Sequence, residues 1–196
     1  LKSVDFPDAW DVLVGEGVEF KGPLKFNERG RGNRLYIAKG CFLGNVRFDM
    51  LGNNNNIIIE DDVYIKKAHF RHRGNDQVIK VGGSTRINGV YFLCESGCSI
   101  ETGEGCLFSY DISLRTTDAH HILDLETGEK LNEPKSITIG NHVWVGTEVV
   151  VTKGVTIADD VVVGQRALVN KSVLESHVIV AGAPGQIVRR GVTWKR

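Results

Sequence analysis

Two adjacent histidines, His120 and His121, follow Asp118 in a polar stretch that runs from Thr116 to Ser136. An imidazole titrates near neutrality, so one held within hydrogen-bond reach of a hydroxyl can take its proton at physiological pH. Asp118 stands where a carboxylate can orient such a ring and stabilise its charged form, although the same residue would serve equally as a turn cap. The other four histidines say less. His69, His72 and His177 read as single surface residues, and His142 falls at an outward corner of a repeat. Trp144 also reads as outward-facing, where an aromatic most simply marks an interface. A basic run, Lys66-Lys-Ala-His-Phe-Arg-His-Arg73, stands out in a chain of zero formal net charge. It is either a solvated face or a patch for an acidic polymer, in which Lys66, Arg71 and Arg73 would meet carboxylates and Phe70 a sugar.

These side chains need a scaffold, and the chain supplies one by repetition. From Ile139 to Leu174 it divides into six consecutive hexads, with Ile or Val first, a small or turn-tolerant residue second, and Val or Ala fifth. A period of six fits neither an α-helix nor an alternating strand. It fits a short strand that turns a corner, three of which make one coil of a triangular prism, with first-position aliphatics stacking about 4.8 Å apart. The expected fold class is therefore all-β, a parallel β-helix, with compact fifth positions that suggest an interior too narrow for large rings. Upstream, Ile37, Ile59, Val81 and Thr102 open longer coils at spacings of 22, 22 and 21 residues. Turns such as Gly52-Asn-Asn-Asn-Asn-Ile57 hold the extra residues, since Gly and Asn tolerate positive φ at a corner, and the asparagines are expected to stack from coil to coil. Residues 1–33 read as an N-terminal cap and first irregular coil, 34–180 as the β-helix with an excursion at 116–136, and 181–196 as a tail in which Trp194 covers the last coil.

Composition narrows the classes. The length suits one domain, and 23 Gly against four Pro suits a chain of many corners. Neutral charge argues against a nucleic-acid protein. The sequence has neither an apolar run long enough to span a bilayer nor a charged-then-apolar leader, so a cytoplasmic location without a membrane span is expected. Cys41, Cys94, Cys98 and Cys106 lack paired metal-ligand spacing, and Cys41 and Cys106 fall at fifth positions of hexads. All four read as reduced core residues, with no disulfide and no metal expected.

The hexads, the run Ile139-Gly-Asn-His-Val-Trp-Val-Gly146 and the closing Ala181-Gly-Ala-Pro184 resemble the hexapeptide-repeat acyltransferases. That resemblance implies a left-handed coil, against the general preference of parallel crossovers for the right hand. It also implies that Thr117-Asp-Ala-His120 carries the general base at His120, with His121 as understudy where the family more often has a small residue or Pro. Trp144 would border a thioester and offer its indole N–H to the oxyanion, and Asn88 is a further candidate contact for the acceptor or the intermediate. Coenzyme A would lie outside the prism, along Gly146, Thr147 and Gln165 at its pantetheine, with Asn170 and Lys171 near its far end and Arg189 near its phosphate. A closed threefold assembly with shared active sites follows from the same likeness, as Val150 and Val162 are apolar residues expected to face out.

Within the family, the stretch Thr117 to Asn132 is similar to the branch that modifies capsules and exopolysaccharides, sialic-acid capsules included. The leading expectation is therefore acetyl transfer from acetyl-CoA to a hydroxyl of a bacterial surface glycan. N-acetylation of a nucleotide-linked amino sugar, a zinc hydratase of the same coil type and a non-catalytic binding module are the alternatives. The hydratase would need three converging histidines, and its familiar His-x-x-x-x-His separation is missing.

Overall fold

The computed structural model describes residues 4–95 and 97–196, so Leu1–Ser3 of the expected cap lie outside the described residues. Stacked parallel strands form three faces. The first face joins seven strands, from Trp10–Val14 through Val78–Val81 to Thr156–Ile157. The second and third share one hydrogen-bonded sheet, because Phe42–Leu51 and Tyr64–Arg73 run unbroken around the corner between them. Coiling begins ahead of the legible repeat: Trp10 pairs with Asn33, Phe20 with Leu43 and Phe26 with Phe48. Phe6 closes this end edge-on against Phe20 and Phe26.

Each aliphatic that opens a coil stacks on its counterpart, Ile37 on Ile59, Ile59 on Val81, Val81 on Thr102, and Ile139 on Ile157. The first and fifth hexad positions between 139 and 174 are all buried, as expected. The early coils depart from the narrow interior. Their extra residues lengthen the third face, and Phe26, Phe48, Phe70 and Phe92 stack there ring over ring, with centroids 5.6, 5.4 and 4.8 Å apart. Phe70 is fully buried in this column, so it offers no platform to a sugar. The later coils continue the third face with Leu114, Val151 and Val169.

Asparagines satisfy the backbone at the wide corners. Asn33 Oδ1 accepts from the Asn55 N–H at 3.0 Å and Asn55 Oδ1 from the Gln77 N–H at 3.2 Å. Their side-chain amides donate to the Gly52 and Gly74 carbonyls, both at 3.0 Å. Asn54 carries the positive φ of 57° that an asparagine tolerates at such a turn.

His72 corrects the surface reading. Its side chain lies in the core between Met50 and Cys94 of the neighbouring coils, and neither ring nitrogen has a protein hydrogen-bond partner. Desolvation pushes its pKa down to about 3, so the folded chain holds it neutral. The unfolded chain binds the extra proton between that value and the ordinary pKa near ~6.5, so His72 removes stability as pH falls through this window. All four cysteines are free and buried, and burial raises Cys94 to about 12 and Cys106 to about 11.

The tail does more than cover the last coil. Gln186–Arg190 pairs antiparallel with Val178–Ala181. The chain then climbs back along the corner between the first and second faces: Val192 N–H donates to the His177 carbonyl, Trp194 Nε1 to the His142 carbonyl and Arg196 to the Ser84 carbonyl. Trp194 stacks on the His142 ring at 4.4 Å, two coils above the end at which it was expected.

Candidate active site

The excursion leaves the prism where the third face meets the first. Its backbone is closed at the base by the Lys135 N–H donating to the Thr116 carbonyl, and Ile137–Ile139 resumes the first face. Buried Asn132 organises the loop. Its Nδ2 donates to Asp118 Oδ2 at 2.9 Å and to the His120 carbonyl at 2.8 Å, and its Oδ1 accepts from the Ile122 N–H at 2.7 Å. Arg73 ties the loop to the scaffold, donating to Glu95 at 2.8 Å and to the Ala119 carbonyl at 3.2 Å. His120 and His121 line an open cavity of about 260 Å³ together with Arg73, Glu95, Thr117 and Asn132.

Asp118 anchors the loop to the scaffold. Its carboxylate accepts from Lys153 and Asn132. Lys153 first and Asn132 second hold that carboxyl below the usual carboxylate range. A depressed pKa adds stability above the unfolded carboxylate value and loses it as pH falls through the folded one, so this tether persists at neutral pH. Because Asn132 makes three hydrogen bonds, Asn132→Ala should loosen the loop. Amide exchange between 118 and 132 is expected to quicken about 10- to 100-fold with little change in global melting.

Trp144 opens the second-face strand Trp144–Val145, which runs to the corner between the second and third faces, and its ring lies 6.0 Å from that of Trp194. The Trp144 indole is partly exposed and its Nε1 donates to Ser109 Oγ at 3.4 Å, a long and weak bond. Asn88, Ser109 and Gly146 succeed one another up this corner, each N–H donating to the next coil: Asn88 to Phe108, Ser109 to Val145, Gly146 to Val163. Gly146 is required here, since a Cβ would come within 2.7 Å of the Gln165 nitrogen. Lys66 reaches into the same neighbourhood, with its Nζ 3.4 Å from Tyr110 Oη. Within one chain the paired histidines lie on the excursion and Trp144 on the second face.

No protein-family model matches the chain. Over 113 residues it is 46% identical to the polysialic acid O-acetyltransferase of Neisseria meningitidis, covering 58% of this chain and 52% of that protein. Over 116 residues it is 37% identical to the enzyme of the same name from Escherichia coli O1:K1, covering 59% of this chain and 38% of that one. The chain thus spans about half or less of the curated relatives it matches. The solved structure of the polysialic acid O-acetyltransferase OatWY superposes with a TM-score of 0.83 at 29% identity, over 95% of this chain and 91% of the other. That of the polySia-specific acetyltransferase NeuO gives 0.81 at 28%, over 97% and 90%. A coil of the opposite hand could not superpose over its whole length. The chain therefore has the left-handed parallel β-helix fold of these two acetyltransferase structures.

The positions that the acyltransferase resemblance assigned to coenzyme A lie on different elements of the chain. Gly146, Thr147 and Gln165 stack at the Trp144 corner, where the Arg166 N–H donates to the Thr147 carbonyl. Asn170 and Lys171 follow the third-face strand Leu168–Val169, and Arg189 lies on the return strand opposite Ile179. All except Gly146 and Thr147 are exposed.

The basic run also divides. Lys66 belongs to the Trp144 corner and Arg73 to the histidine cavity. Arg71 lies in register with Asp49 and has its Nε buried without a partner. Sequence reasoning missed Asn132, Lys153 and the pairing of His69 with Asp49 at 2.8 Å. Only the last had a signal, because Asp49 and His69 are separated by two residues less than the 22-residue coil. Among the described residues, no group of three or more His, Cys, Asp or Glu is disposed to hold a metal ion. Among the described residues, no helix is long and apolar enough to cross a membrane.

Proposed function

We propose that the chain is an O-acetyltransferase that moves acetyl from acetyl-CoA to a hydroxyl of a sialic-acid-containing capsule polysaccharide. His120 takes the proton of the acceptor hydroxyl, and the oxygen attacks the thioester carbonyl carbon. Trp144 Nε1 exchanges its weak bond to Ser109 for one to the oxyanion. Collapse breaks the carbon–sulfur bond, and the proton held by His120 passes to the leaving thiolate, giving an O-acetyl ester and free coenzyme A. The observation that carries this reading is the paired histidines in a cavity on a loop immobilised at Asn132, Asp118 and Arg73. The names of the relatives support the acyl group and the acceptor.

A shared site in a homotrimer goes with this reading. His120 on the excursion and Trp144 on the second face stand apart in one prism, and a neighbouring subunit would bring them together. Val150 and Val162, half-buried and outward, suit such a contact. Coenzyme A would then meet Gly146, Thr147, Gln165, Asn170, Lys171 and Arg189 from two subunits, with Asn88 beside the acceptor. Four reduced cysteines favour a cytoplasmic setting.

The test is thiol release from acetyl-CoA with a panel of polysaccharides and nucleotide-linked amino sugars. Release with polysialic acid that leaves alkali-labile acetyl on the polymer is the expected result. Release with amino sugars alone would replace the proposal by N-acetylation, and silence in a folded, trimeric sample would leave a binding module.

A further inference from the structure

The third face of the early coils carries a groove of about 450 Å³, separate from the histidine cavity. Lys25, Arg47, Lys67 and Arg115 line it against a single lining carboxylate, Asp111. In a chain of zero formal net charge this is a local excess of cations. A solvated face would leave its charges on free, flexible stems. Here several are fixed. Asp49, almost fully buried beneath the groove, accepts from Arg47 Nε at 2.7 Å and from His69 Nε2 at 2.8 Å. His69 thereby turns its remaining nitrogen away from Asp49, and its ring leans on Tyr91 at 5.0 Å. Arg115 lies 5.4 Å over the same Tyr91 ring and donates to Ser113 Oγ at 3.0 Å.

Three cationic or proton-donating groups are thus held in place by a buried carboxylate, a phenol ring and a hydroxyl. Ordering them before a ligand arrives lowers the entropy lost on binding. The groove crosses strands from Leu24–Arg29 to Ile112–Arg115, four coil steps, or about 19 Å at the usual strand spacing. That length accommodates several sugar rings. Its edge at Gly89 and Asp111 adjoins Asn88 and Tyr110 of the Trp144 corner.

We propose that this groove is a binding site for a carboxylated polysaccharide, held by Arg47, Lys67, His69 and Arg115 at a distance from the reacting hydroxyl. Charge complementarity selects the occupant, since uncharged sugar would gain little from a cluster this basic. The proposal rests on the acidic-polymer reading of the function, but its test requires no turnover.

Labelled polysialic acid, and the same polymer with its carboxyls reduced to alcohols, would be titrated into the protein at low salt without acetyl-CoA. The variants are Lys67→Glu with Arg115→Glu, both exposed, and a control of equal charge change outside the groove, Lys39→Glu with Lys195→Glu. The parent and the control are expected to prefer the carboxylated polymer, and the groove variant to lose about tenfold in affinity for it alone. The inference is overturned if the groove variant binds like the parent, or if the control loses as much. Turnover of polysialic acid by parent and groove variant with the same KM would remove the groove alone. Carboxylate-selective binding by a parent that acetylates no polymer would keep the groove and remove the acetyltransferase reading.

Discussion

His120→Ala is expected to lower acceptor-dependent release of coenzyme A by about 10²- to 10⁴-fold, the range that a positioned general base supplies. The loss should appear in kcat, with the KM for acetyl-CoA little changed, because the imidazole acts on the acceptor hydroxyl. His121 lines the same cavity, so the comparison with His121→Ala identifies which ring faces the hydroxyl. A modest effect there beside a large one at His120 is the expected pattern, and the reverse pattern would transfer the role. Full activity in the double variant would end the base mechanism. Since the Asn132 contact to this segment is to the His120 carbonyl, truncating the ring leaves that bond in place. Melting of His120→Ala should therefore match the parent.

The second large effect concerns the scaffold. Phe70→Ala is expected to cost about 3–5 kcal/mol, as Phe70 is fully buried between two parallel rings that cannot move closer along the coil axis. The spacing of Phe48 and Phe92 is fixed by the strands that carry them, Phe42–Leu51 and Val90–Glu95, which pair with Tyr64–Arg73 on either side. The cavity left behind would stay open, and thermal melting should fall by roughly 6–20 °C for a chain of this size. Phe70→Leu, which refills most of the volume, should recover more than half of the loss. Equal melting of parent and alanine variant would mean that the column does not hold the early coils together.

Most of the scaffold was legible because its period is written in residue types. Aliphatics at every sixth position from Ile139 to Val169 gave the coil, and the 22-residue spacing of Ile37, Ile59 and Val81 gave its wider version. The same spacing runs through Phe26, Phe48, Phe70 and the asparagines, so the ring column could have been found by asking which residues recur at 22. Reading the 66–73 run as one patch failed because strand alternation divides it between core and surface: Phe70 and His72 point in, while Lys67, His69 and Arg71 point out. The excursion was visible as an interruption, and its histidines as chemistry. Its anchors were not, since Lys153 meets Asp118 across 35 residues that include the loop itself, and no period relates them.

The returning tail bears on how the molecule comes apart. A solenoid in which each coil touches only its neighbours can fray from an open end, one coil at a time. Here the last residues reach back to His177, His142 and Ser84, the last of these 112 positions earlier in the chain. Opening the terminal coil therefore requires undoing contacts several coils away, so the C-terminal half is coupled into one cooperative unit. The chain closes its stack as a strap closes a bundle, and the turn at Ser84, halfway along the stack, feels the loss of Arg196.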